Sequence, residues 1–135
     1  MLRFFLLFSF LLSSTYGGEV TFGKPIKGHF TWFSEIGRGA CGSKINANEE
    51  KFVAAPGYYW KSGNFSHDPI CHHVCVEIRY KGHTLSVPVK DQCATCHKNH
   101  FDLSIPAFKS LEPVLDFVDA KNAVFIFKRC YLKDD

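Results

Sequence analysis

His100-Phe101-Asp102-Leu103-Ser104 is the stretch on which the reading of this chain turns. It follows Asp91-Gln92-Cys93-Ala94-Thr95-Cys96, so Asp91 and Asp102 stand at the two ends of a short cysteine-bracketed loop. Upstream, Leu85, Val87 and Val89 alternate with Ser86, Pro88 and Lys90, the period of a half-buried strand. Pro88 lacks an amide donor, which predicts an edge position or a bulge. Downstream, Ser104 is a good N-cap and Pro106 suits the first turn of a helix. Phe108 and Leu111 would form its buried face, and Pro113 would end it. Two carboxylates so placed can flank a sugar ring, one protonated and the other ionised. Aspartate is also common at turns and helix starts because it accepts backbone hydrogen bonds, so the pair alone does not decide.

Outward from this stretch, short apolar runs alternate with turn residues, which predicts an all-β domain with one helix. Phe30-Thr31-Trp32-Phe33 reads as a strand ended by a turn at Gly37 to Gly39, and Phe52 to Ala55 as a second, stopped by Pro56-Gly57. Val74 to Tyr80 is a third, with Val74, Val76, Ile78 and Tyr80 on one face. Lys81-Gly82 supplies its turn. Val124 to Phe127 is wholly apolar, as a strand closing a barrel would be.

Residues 1–18 read as a signal peptide: Arg3, an apolar run from Phe4 to Leu12, then small residues to Gly18. The run is too short for a membrane span, which needs about 20 residues. Residues 19–135 are then about 117 residues, one domain, extracellular and with no membrane segment in the mature form. A formal charge of +3, with no basic tract interleaved with aromatics, argues against nucleic acid as a partner.

Cys41, Cys71, Cys75, Cys93, Cys96 and Cys130 all follow the signal. An even count in a small secreted domain predicts three disulfides, with the pairing left open by sequence. Asn64-Phe65-Ser66 is a glycosylation sequon. Cys93-Ala94-Thr95-Cys96-His97 is also the C-x-x-C-H string of haem attachment. Its second axial ligand would have to be a histidine, because the sole methionine is Met1. A redox dithiol would want a βαβ setting that the pattern lacks. Seven histidines suggest a metal, yet adjacent His72 and His73 would point to opposite faces of a strand, and no metal motif appears. The expectation is therefore no cofactor and no metal.

Four segments in order, Thr31-Trp32-Phe33, Gly39-Ala40-Cys41-Gly42, Val87 to Cys93 and His100 to Phe108, resemble the expansins, barwin-like proteins and family 45 endoglucanases. The resemblance implies a six-stranded double-psi β-barrel with one short helix, and disulfides Cys41–Cys71, Cys75–Cys130 and Cys93–Cys96. Asp102 falls on the aspartate of the His-Phe-Asp motif, the general acid of the endoglucanases. Asp91 falls on a groove aspartate. Expansin-type barrels lack the endoglucanase base, and Glu35, three residues after Trp32, is near its position.

The implied function is a secreted monomer that binds wall or matrix polysaccharide (glucan, chitin or peptidoglycan type) without cutting it. Asp102 and Asp91 would serve in the groove, with Trp32, Thr31, His100, Tyr59 and Trp60 as ligand-binding residues. One alternative is a small endoglucanase or lytic glycosidase with Asp102 as acid and Glu35 or Asp91 as base. Another is a secreted protein-binding effector or signalling module on the same scaffold. The departures are a corner one residue longer at Cys71 to Cys75, Phe33 in place of a tyrosine, and no carboxy-terminal sandwich domain.

Overall fold

The computed structural model describes residues 19–61, 65–116 and 119–131. The expected signal peptide at residues 1–18 and the sequon residue Asn64 lie outside the described residues. Eight strands and one helix follow in order: β1 (Ile26–Phe33), β2 (Ile36–Arg38), β3 (Lys44–Asn46), β4 (Val53–Pro56), β5 (Val74–Tyr80), β6 (His83–Cys93), β7 (His100–Ser104), α1 (Ile105–Leu111) and β8 (Ala120–Arg129). Six of them close a barrel in the order β1-β7-β4-β6-β5-β8. The pairs β1–β7 and β4–β6 are parallel. This is the expected mostly-β, six-stranded, disulfide-stabilised barrel.

Phenylalanine fills it. Phe30, Phe101, Phe108, Phe125 and Phe127 are fully buried, with the Phe101 and Phe125 rings stacked at 4.1 Å. Stacked and edge-on rings contribute roughly 0.5–1.5 kcal/mol beyond the area they bury. The three disulfides are Cys41–Cys71, Cys75–Cys130 and Cys93–Cys96, the pairing that the resemblance implies. Lys81 and Gly82, both at positive φ, turn β5 into β6.

Four local expectations need correction. Asp102 stands inside a strand, His100–Ser104, and not at the end of the cysteine-bracketed loop. Ser104 precedes α1 but does not cap it with its side chain; its Oγ accepts from the Phe52 amide at 3.0 Å. Buried Ser104 thereby supplies a barrel hydrogen bond that outranks capping. Gly37 lies in β2 and not in a turn: β2 and β3 form a two-stranded hairpin outside the barrel. Pro88 is on no edge, since β6 is paired on both sides; the register slips one residue on, between Val89 and Asp91.

The hairpin rests on a second small core of Ile45, Ala47 and Phe52, with Phe33 packed against it. Its connecting loop is pinned to β6 by Cys41 N donating to Lys90 O at 3.3 Å, and to the segment before β5 by the Cys41–Cys71 bond.

Candidate functional site: a carboxylate groove

Strand pairing assembles the site. Thr31 on β1 pairs with Asp102 on β7, Asp102 with Ala54 on β4, and Ala54 with Asp91 on β6. Directly paired residues share a face of the sheet, so the four form one row across four strands. Two strand spacings separate the aspartates, roughly 9–10 Å between their Cα atoms. Ala54 lies between them, and its methyl leaves the space above it open. The result is an open groove of about 320 Å³, walled by Asp102, Asp91, Glu35, Phe33 and the loop residues Ala94 and Thr95.

The two aspartates are held differently. Asp91 Oδ1 accepts from the amides of Ala40 and Gln92, each at 2.9 Å. It anchors the hairpin loop as well as lining the groove. Asp102 is half-buried, and its one hydrogen-bond partner among the described residues is the Thr31 hydroxyl, which donates to Oδ1 at 2.8 Å. Burial pushes its pKa up; the Thr31 bond opposes this, and the nearby Asp91 charge reinforces it. A carboxyl with a raised pKa, facing a groove, can donate as well as accept a hydrogen bond.

Behind Asp102 runs a polar chain. His100 Nε2 lies 2.7 Å from Thr31 Oγ1. While Asp102 is ionised the Thr31 proton goes to it, and Nε2 is then the donor in that contact. The His100 ring stacks on His29 at 4.4 Å, and His29 Nδ1 meets Asp119 at 2.6 Å. Burial above all lowers the His100 pKa, and the His29 charge adds to it against the pull of Asp119. His100 therefore stays neutral more readily than a free histidine.

Of the residues assigned from sequence, Asp102, Asp91 and Glu35 do line one groove, Glu35 from an exposed position at its rim. Thr31 and His100 support Asp102 from behind. Trp32 does not reach the groove: along β1 it alternates with Thr31 and Phe33, packs on the core and donates through Nε1 to Leu115 O at 3.1 Å. Tyr59 and Trp60 offer no stacking face there either. Both are buried, with Tyr59 Oη donating to Lys98 O and Trp60 Nε1 to Ala55 O. The Tyr59 phenol is pushed up to about 12, mainly by burial. Tyr58 is the exposed ring of that run, at 45%. Sequence reasoning missed Ala54, His29 and Asp119. Nothing local marks them, because only the barrel register brings them to the motif.

A curated relative, the papain inhibitor of Streptomyces mobaraensis, is 40% identical over 96 residues, spanning 71% of this chain and 67% of that protein. This chain belongs to the family of the Streptomyces papain inhibitor. The solved structure of a Streptomyces papain inhibitor superposes on this papain-inhibitor relative with a TM-score of 0.80 at 38% identity, covering 82% of this chain and all of that one. The Allergen Asp f 7 homolog of Arthroderma benhamiae is 39% identical over 92 residues, but the match spans only 31% of its length. A Clavibacter michiganensis expansin mutant in complex with cellohexaose shares the fold, with a TM-score of 0.61 at 22% identity over 53% of that chain. No protein-family model matches the chain.

Proposed function

We propose that this protein is secreted and inhibits papain-type cysteine proteases without any chemistry of its own. The observation that carries the reading is the match to the Streptomyces inhibitor, whose solved chain is covered end to end. In this reading the β2–β3 hairpin makes the contact. Ile36 at its edge is 66% exposed, and all of β2 faces solvent. The hairpin is nevertheless stiff: Arg38 Nη1 donates to Gly42 O at 2.6 Å, Gly39 N to Ser43 O at 2.9 Å, and the Cys41–Cys71 disulfide ties its connecting loop to the segment before β5. Protease inhibitors of this kind bind with little backbone change, so a preformed protrusion keeps the ordering cost low. The test is titration of active-site-counted papain with the secreted protein and with Ile36→Asp. Stoichiometric loss of activity, weakened at least tenfold by the substitution, is expected. Full protease activity at micromolar excess of the unsubstituted protein would sink the reading.

A second reading is favoured by Asp102 itself, a half-buried carboxyl with one partner and a raised pKa facing an open groove. It makes the groove a binding site for wall polysaccharide of glucan, chitin or peptidoglycan type, as the cellohexaose complex of the expansin suggests. Hydrolysis is the weaker form of it. Asp91 is engaged by two amides and Glu35 sits exposed at the rim, so neither is oriented as a base. Retention on those polymers, lost in Asp102→Asn and without released oligosaccharides, is the expected result for this reading.

A further inference from the structure

A second, larger cavity than the carboxylate groove lies outside it. It measures about 500 Å³ and is lined by Lys24, Lys27, Lys98, Tyr58, Asn99 and Glu19, among others. Glu19 is the one acidic residue in its lining, and it pairs with Lys61 outside it. Lys24, Lys27 and Lys98 make no ion pair among the described residues, although all three are exposed around one concavity. Three like charges in one hollow repel each other and focus a positive potential there.

The frame beneath these charges is fixed. Gly28 lets the Asn99 carbonyl approach β1 so closely that a Cβ would overlap it, and His29 N donates to that carbonyl at 3.1 Å. Tyr59 Oη holds Lys98 O at 2.8 Å. Lys27 and Lys98 are therefore presented from two segments locked together. Beside them the Tyr58 ring is 45% exposed, with Lys98 Nζ 5.9 Å from its centroid. An aromatic face next to ammonium groups in a hollow of this size suits a sugar ring that carries an anion. The ring stacks on Tyr58, and its carboxylate or sulfate meets the lysines.

We infer that this hollow is a binding site for an acidic saccharide, bearing carboxylate or sulfate groups. It is separate from the carboxylate groove, and the segment 93–99 contributes to both. Ala94 and Thr95 wall the groove, while Lys98 and Asn99 wall the basic hollow. The groove's own carboxylates repel an anionic sugar, so the two sites sort ligands by charge.

The test is an NMR titration of the secreted protein with three hexasaccharides: an oligogalacturonate, a heparin-derived sulfated oligomer and cellohexaose. Either acidic oligomer should shift the Tyr58 ring and Asn99 amide resonances, the better of the two naming the anion, and cellohexaose should leave them in place. The Lys27→Ala, Lys98→Ala double variant should weaken acidic binding at least tenfold. Lys109→Ala, on exposed helix surface, should change it less than twofold. All three side chains are exposed, so a dispersed spectrum is expected throughout. Absence of shifts with both acidic oligomers overturns the inference. So does a loss in Lys109→Ala equal to that in the double variant, which would mean attraction to overall charge.

Discussion

Gly28→Ala tests whether the close approach of β1 to Asn99 holds the site together. An added Cβ would fall 2.9 Å from the Asn99 carbonyl carbon and 3.2 Å from its Cα, with the carbonyl oxygen nearer still. Carbon–carbon contacts settle at about 3.5–4.0 Å, so β1 and the turn must separate by roughly 1 Å. The neighbouring bond from His29 N to Asn99 O, now 3.1 Å, would then be lost. Overpacking of this kind costs about 1–3 kcal/mol and the lost bond about 0.5–1.5 kcal/mol, together roughly 2–4 kcal/mol. For a domain of this size that lowers Tm by roughly 8–16 °C. The assay is thermal unfolding by circular dichroism, with hydrogen exchange of the His29 amide beside it. The parallel register begins at His29↔His100 and reaches Thr31↔Asp102 two residues on, so the Thr31–Asp102 bond should loosen too. A Tm within about 3 °C of the parent, with the His29 amide still protected, would refute the reasoning.

Thr31→Val keeps the side-chain shape but removes the donor to Asp102 and the acceptor for His100 Nε2. The Asp102 pKa should rise further, read from the pH dependence of its carboxyl carbon shift; a fall would contradict the assigned bond direction. The disulfides should rank by the span they close, with sequence separations of 3, 30 and 55. The chain-entropy model gives about 2 kcal/mol for Cys93–Cys96 against about 4 kcal/mol for each of the others. Paired serine variants followed by urea unfolding check that order.

The barrel was legible because its signals are local. Alternation along Val74 to Tyr80, the Lys81-Gly82 turn and the apolar run at Val124 to Phe127 each reappear as barrel elements. The four motif segments fixed the architecture by resemblance. The groove was legible in part: Asp102, Asp91 and Glu35 meet although Glu35 lies more than fifty residues from either aspartate. What sequence could not supply was facing. Trp32, Tyr59 and Trp60 are the residue types that bind sugars, yet each is drawn inward because a small barrel needs its large rings for the core. The basic hollow escaped notice for a related reason. Lys24, Lys27 and Lys98 form no run, and only the parallel pairing of β1 with β7 gathers them.

Asp102 offers the sharpest separation between a working groove and a mere scaffold. Its folded-state pKa is raised, chiefly by burial, so the fold disfavours its charged form. As pH rises through the unfolded-state pKa of about 3.9, the unfolded chain ionises first and stability falls. It goes on falling until the pH passes the folded-state pKa, and the penalty then remains at neutral pH. Asp102→Asn keeps an acceptor for Thr31 and cannot ionise, so it should raise Tm at about pH 7 and lose that gain at about pH 3. A gain of that kind would show that Asp102 costs stability where it stands, beside the open space above Ala54, as the proposed contact with a ligand requires. If Asp102→Asn instead lowers Tm at neutral pH, the carboxylate is a structural acceptor like Asp91. The groove reading would then give way to the hairpin, and protease inhibition should survive the substitution intact.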